Sequence, residues 1–139
     1  MKKEKLKVLM LGADRSVKGG VSGVVNNLYA AGIEDYIELT YIGTMVDGSK
    51  LTKLFKAVEA YIRFIFSIKK YDIVHVNMAS DASYYRKLFF IKGAKKHGKK
   101  LVIHQHGGDV LNFYGGMQGE KREKMISSLN LCDAFVVLD

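Results

Sequence analysis

Apolar residues along the chain form short continuous runs that alternate with segments of helical spacing. The first run extends from Leu6 to Leu11, and Lys7 is its only charged residue. Continuous runs of this length are typical of strands covered on both faces, as in a parallel sheet enclosed by helices. A second segment alternates in part and is rich in β-branched and aromatic residues. The predicted strands are 6–11, 36–42, 72–77, 101–106 and 134–138.

The longest predicted helix runs from Lys50 to Lys70, because its apolar residues recur at i, i+3, i+4 and i+7. Other helices are predicted at 24–31, 80–97 and 120–130, and a glycine-rich loop at 107–119. Strands that alternate with helices predict an α/β fold with a doubly wound, Rossmann-like parallel sheet and right-handed crossovers.

We expect a single domain over 1–139 with strand order 3-2-1-4-5. In that order the first and fourth strands are neighbours at the topological switch point, where ligands bind beyond the carboxyl ends of the strands. The loops 12–23 and 106–119 would meet there. The fifth strand, at 134–138, is expected to be buried.

The loop after the first strand contains Gly19 and Gly20 just before a helix. Backbone without side chains next to free helical N–H groups favours a bound phosphate. The dinucleotide fingerprint is absent, because Gly12 is not followed by a second glycine at the required spacing. The nucleotidase phosphate loop is also absent, since Val follows both Gly20 and Gly23. A phosphate site and a tightly packed turn are both compatible with this loop.

The segment His106, Gly107, Gly108 and Asp109 follows the fourth strand directly. An imidazole there can hydrogen-bond a sugar hydroxyl or a phosphate, and the glycines allow the backbone to approach the same ligand. The alternative is a turn in which His106 caps backbone groups.

The other histidines are predicted to be structural. His104 lies deeper on the same strand face as His106, His75 is in mid-strand, and His97 is at a helix end. A metal held by His104 and His106 would lack an assured third ligand, so no metal is expected. The chain has no Gly-x-Ser-x-Gly elbow, and Cys132 lies far from the switch-point loops, so a hydrolase is not expected.

The net charge of +8, from 22 Lys and Arg against 14 Asp and Glu, indicates an anionic partner. The lysines are spread over several elements without a nucleic-acid motif, so a nucleic-acid partner is not expected. The segment 50–70 combines basic and aromatic residues, as in helices that lie on anionic lipid; the alternative is a packed helix with a solvated basic face. A single Cys and the absence of a signal peptide or spanning segment predict a cytoplasmic protein. If the segment 50–70 lies on lipid, the protein is peripheral on the inner face of the membrane.

Four motifs in order resemble the N-terminal half of GT-B glycosyltransferases of the retaining family-four type. They are Gly19–Val21, Asp72–Val76, His104–Asp109 and Cys132–Leu138. The resemblance implies a full-length hexosyltransferase of cell-surface polysaccharide or glycolipid synthesis, with a nucleotide-sugar donor, a sugar or lipid-linked acceptor and no cofactor or metal. It also implies that Gly19 and Gly20 approach the donor diphosphate and that His106 is the catalytic residue beside the donor sugar.

The same resemblance implies a second, donor-binding domain that this sequence does not contain. We therefore expect a piece of a longer protein, inactive by itself and acting as its acceptor-side domain. The alternatives are a natural half-enzyme that needs a partner subunit and a non-catalytic α/β module that binds phosphate or nucleotide. Asn77, where many relatives have histidine, and Asp139, where a serine is common, depart from the pattern.

Overall fold

The computed structural model describes residues 3–79, 82–107 and 110–137, which form a five-stranded parallel sheet flanked by helices. The strands are β1 (Lys7–Ala13), β2 (Glu38–Met45), β3 (Ile73–Met78), β4 (Lys100–Gln105) and β5 (Ala134–Val137). The helices are α1 (Gly20–Ala30), α2 (Lys50–Ser67), α3 (Ala82–Lys96), α4 (Val110–Gly115) and α5 (Gly119–Leu129), with 3-10 turns at Ile33–Asp35 and Ile68–Lys70.

The strand order is β2-β1-β3-β4-β5, so the α/β class with a parallel sheet flanked by helices is confirmed, and the predicted order 3-2-1-4-5 is wrong. Val8 of β1 pairs with Leu39 on one side and with Ile73 on the other. After β2 the chain crosses over β1 through α2 and adds β3 to the free edge of β1. This is the other common doubly wound order, and its switch point lies between β1 and β3.

The core is formed where the sheet meets α2 and α3. Leu9 and Val74 from neighbouring strands are fully buried, as are Phe64 of α2 and Ile91 of α3. A Cβ added at Gly93 of α3 would lie 2.8 Å from Phe64 Cε1, so glycine allows the two helices to approach. Burial of an aromatic ring such as Phe64 stabilises the fold by roughly 1.5–3 kcal/mol.

The predicted helix at 50–70 is present, but most of its apolar stripe faces outward. The Ser49 hydroxyl caps α2 by accepting a hydrogen bond from Thr52 N–H at 3.2 Å. Ala60 and Phe64 provide the buried contacts, whereas Leu54 and Phe55 are 59% and 66% exposed. The helix therefore packs through a narrow side and leaves a wider apolar side uncovered.

Two further expectations are corrected near the end of the chain. β5 was expected to be buried, yet Phe135 and Val137 are exposed because the strand lies at the sheet edge and pairs with β4 alone. The loop predicted at 107–119 contains the short helix α4. None of the helices in the described ranges is long and apolar enough to cross a membrane.

Candidate functional site

The glycine loop leads directly from β1 into α1 and leaves the start of that helix open. Its first backbone hydrogen bond runs from Gly23 N–H to the Gly19 carbonyl at 3.0 Å. The N–H groups of Gly20, Val21 and Ser22 therefore have no acceptor within the helix. No side chain caps this end, and its first turn contains no acid. Cβ atoms added at Gly19 and Gly20 would meet no atom within 4 Å, so packing does not require glycine there.

Helix α3 places two cations opposite this helix start. Lys87, which is 2% exposed, and Arg86 line a cavity of about 160 Å³ together with Gly19, Gly20 and Ser83. We call it the Lys87 pocket. Within the described part of the chain, no hydrogen bond or ion pair reaches Lys87. The volume of the Lys87 pocket is below the roughly 300 Å³ at which sites for whole drug-sized ligands begin, so the pocket suits one small group of a ligand, such as a phosphate.

Burial lowers the pKa of both cations. Burial, together with the neighbouring Arg86 charge, lowers the pKa of Lys87 from 10.5 to about 7. Burial also lowers the pKa of Arg86, whose Nε is buried and has no hydrogen-bond partner in the ranges that the structure describes. A buried cation without a counter-ion destabilises a protein. A bound anion would remove that cost for both side chains.

A larger cavity, of about 590 Å³, lies between α3 and α5 but has a different character. Its charged side chains are exposed and of both signs. Lys124 Nζ, for example, lies 3.0 Å from Glu120 Oε1. Charges that are already matched and solvated give no reason for a ligand, so the Lys87 pocket is the stronger candidate.

Asn77 connects the Lys87 pocket to His106. Its Nδ2 donates to the Leu11 carbonyl at 3.1 Å, and its Oδ1 lies 2.9 Å from His106 Nε2. Since the amide oxygen only accepts, Nε2 must carry the imidazole hydrogen. The other nitrogen, Nδ1, is buried and has no hydrogen-bond partner among the described residues. Burial, assisted by the charges of His104 and Lys87, lowers the pKa of His106 to about 4, so the ring is neutral at pH 7.

Two of the other histidines, His104 and His75, extend the row of rings that begins at His106. His104 stacks on it with ring centroids 4.2 Å apart, and His104 Nδ1 lies 3.3 Å from His75 Nε2. His104 is 7% exposed, as expected for a core residue. His97 Nδ1 lies 2.8 Å from the Gly93 carbonyl, which ties it to its own helix. No cluster of His, Cys, Asp or Glu suitable for a metal ion occurs in the described ranges.

The predicted site residues are brought together only in part. Gly19 and Gly20 line the Lys87 pocket, whereas His106 is 3% exposed and lies behind Asn77. The expected crevice between the first and fourth strands does not exist, because β3 lies between them. Gly107 is exposed, and Gly108 and Asp109 lie outside the described residues. The roles given to these residues stay predictions.

Sequence reasoning missed Lys87 and Arg86. A usable pattern existed, because Tyr84, Lys87, Ile91 and Ala94 share the spacing of one helix face and all four are buried. A lysine at a core position of an apolar stripe is unusual. That departure from the pattern was the available indication of a site.

Comparison with known proteins gives no family. No family model matches the chain, and no curated protein matches it. Among solved structures, the chain is similar to a flavoprotein in complex with FMN from Lactobacillus acidophilus NCFM. The identity is 13%, the match covers 96% of this chain and 90% of that chain, and the TM-score is 0.42.

The glycosyltransferase assignment is therefore wrong. No family model and no curated protein supports it, and the similar structure described above is a flavoprotein. Sugar transfer, a role in polysaccharide synthesis and the expectation of no cofactor are withdrawn with it. A similarity of this degree does not carry FMN over to the present chain. The expected anionic membrane surface stays a prediction.

Proposed function

We propose that this chain binds the phosphate group of a small-molecule ligand in the Lys87 pocket. The observation that carries the proposal is Lys87 itself, a cation that is 2% exposed and lacks a counter-ion in the described ranges. It lines the same small cavity as the uncapped start of α1. Anion sites at helix starts use this combination of free N–H groups and positive charge.

Each part of the pocket has a chemical task. The N–H groups of Gly20 to Ser22 can donate to phosphate oxygens, and the open space at Gly19 and Gly20 allows close approach. Lys87 and Arg86 supply charge. Hydrogen bonds to charged groups contribute about 1.5–3 kcal/mol each, so a few of them suffice for micromolar to millimolar affinity.

The lowered pKa of Lys87 predicts that phosphate binding is coupled to uptake of a proton. Lys87 has a pKa of about 7 without ligand, and a bound phosphate dianion would raise that pKa. Binding at pH 7.5 to 8 should therefore be accompanied by proton uptake. Calorimetry in buffers with different ionisation enthalpies measures the number of protons taken up.

The direct test is titration of the chain with inorganic phosphate at pH 7.5 and low salt. We expect saturable binding that is lost in Lys87→Met. The matched control is Lys92→Met, which removes an exposed lysine of the same helix from outside the pocket. Equal binding by Lys87→Met and the unmodified chain, or no saturable binding up to millimolar phosphate, would contradict the proposal.

A further inference from the structure

A second cavity adjoins the Lys87 pocket and has the opposite character. It is a groove of about 390 Å³ between α2 and α3, lined by Leu54, Val58, Tyr61, Ile62 and Phe89, with Thr44 at its base. We call it the α2–α3 groove. Thr44 donates its hydroxyl hydrogen to the Gly12 carbonyl at 3.1 Å, so that polar group is already satisfied. The groove therefore has an apolar lining.

Arg86 lies at the junction of the two cavities. It is the single charged residue among the described residues that line the α2–α3 groove, and it also lines the Lys87 pocket. The strand β2 provides a second junction, because Thr44 lines the groove and the next residue, Met45, lines the pocket. A cavity lined by cations and a cavity lined by apolar residues are thus adjacent, and both are lined by Arg86.

We infer that the ligand is an amphiphile, a phosphate monoester whose hydrocarbon chain lies in the α2–α3 groove. The inference rests on the proposed phosphate binding and adds the chemical class of the remainder of the ligand. The phosphate occupies the Lys87 pocket, and Arg86 contacts it from the junction. The hydrocarbon chain covers groove residues that are otherwise exposed, such as Leu54 at 59% and Phe89 at 66%.

The alternatives fit these cavities less well. A nucleotide or sugar phosphate would place hydroxyl groups and ring nitrogens against a lining whose described residues are apolar apart from Arg86 and the hydroxyls of Thr44 and Tyr61. Burying such groups without hydrogen bonds is unfavourable. A hydrocarbon has no such requirement.

The test compares monomeric alkyl phosphates, from methyl to octyl phosphate, with inorganic phosphate, all below their micellar concentrations. Each added methylene should tighten binding about two- to fourfold until the groove is filled, which is the scale for burying one methylene in a partly open site. Isothermal titration at pH 7.5 measures the series.

Variants of the groove provide the control. The double variant Leu54→Ser with Phe89→Ser changes two exposed groove residues, so the fold should persist. It should remove the dependence on chain length and leave the affinity for inorganic phosphate unchanged. Phe66→Ser is the matched control, because Phe66 is 83% exposed on α2, the helix that also contains Leu54, and does not line the groove. This variant should keep the full dependence of affinity on chain length.

The outcomes separate the two proposals. Binding of phosphate with an affinity independent of chain length overturns the amphiphile and leaves the phosphate site standing. Failure to bind any member of the series overturns both. Chain-length dependence that survives in the double variant also overturns the assignment of the groove. Binding to vesicles that contain phosphatidic acid, without binding of monomeric alkyl phosphates, replaces the amphiphile with a lipid surface.

Discussion

Replacing Lys87 with Met should make the protein more stable while removing phosphate binding. The substitution keeps an unbranched side chain of similar length and deletes the buried charge. The pKa falls from 10.5 to about 7, and at about 1.4 kcal/mol per pKa unit this corresponds to a cost of about 5 kcal/mol for keeping Lys87 charged. Replacing buried charges by apolar side chains stabilises proteins by about 1–4 kcal/mol. We expect a gain in that range at pH 7.

Thermal and urea denaturation at matched pH measure this gain. For a chain of 139 residues, each kcal/mol raises Tm by about 3 °C. The gain should also depend on pH in a defined direction. Between pH 7 and 10.5 the unfolded state holds the Lys87 proton and the folded state does not, so the stability of the unmodified chain rises with pH. The difference between it and Lys87→Met should therefore shrink as pH rises through this window.

Lys92→Met controls for the loss of a lysine from α3 and should show no such pH-dependent difference. The reasoning is refuted if Lys87→Met is less stable than the unmodified chain at pH 7. It is also refuted if the stability difference stays constant from pH 7 to 10. Either result would mean that Lys87 has a favourable interaction in the folded protein that compensates for its burial.

Three other results should follow from the same geometry. Gly20→Ala should weaken phosphate binding by about 1–3 kcal/mol, because the added methyl group would intrude on the ligand. Its Tm should be nearly unchanged, since the Cβ meets no protein atom. Phosphate titration measures the affinity and scanning calorimetry the Tm, and unchanged affinity would exclude the glycine loop from the phosphate site. Gly12→Ala should destabilise the fold by more than 1 kcal/mol, because its Cβ would lie 2.5 Å from the Tyr41 hydroxyl. An unchanged free energy of unfolding in urea denaturation would contradict this contact. Burial, with smaller contributions from neighbouring charges, lowers the pKa of His75 and His106 to about 4. The free energy of unfolding should therefore be highest above pH 6.5 and fall progressively towards pH 4. Urea denaturation measures it, and a constant free energy of unfolding across this window would rule out neutral buried rings.

Local pattern was sufficient to predict most elements of this fold, with α4 as an exception. The runs at 72–77 and 101–106 became β3 and β4 within one residue at each end, and the helix from Lys50 was confirmed. The strand order could not be predicted in the same way. Every interior strand is buried on both faces along most of its length, so periodicity does not show which edge of β1 receives β3. That choice depends on how α2 packs across the sheet, which is a tertiary property.

The candidate site shows a similar division. Gly19 and Gly20 were identified because glycine before a helix has a local physical meaning. Lys87 was overlooked because a lysine in a helix is ordinarily solvent-exposed, and only its neighbours Tyr84 and Ile91 show that it faces inward. His106 was placed correctly at the end of β4, but its contact with Asn77 depends on the pairing of β3 with β4.

The position of β1 between β2 and β3 also has a consequence for folding. β1 and β2 are joined by α1 and can pair early, as a local unit. Pairing of Val8 with Ile73 must close a much longer loop, which is slower. The Lys87 pocket takes one wall from the early unit, at Gly19 and Gly20, and the other from α3. Ligand binding therefore requires that α3 has packed beside the β1–α1 loop, so it should report on these long-range contacts and not on the local unit alone.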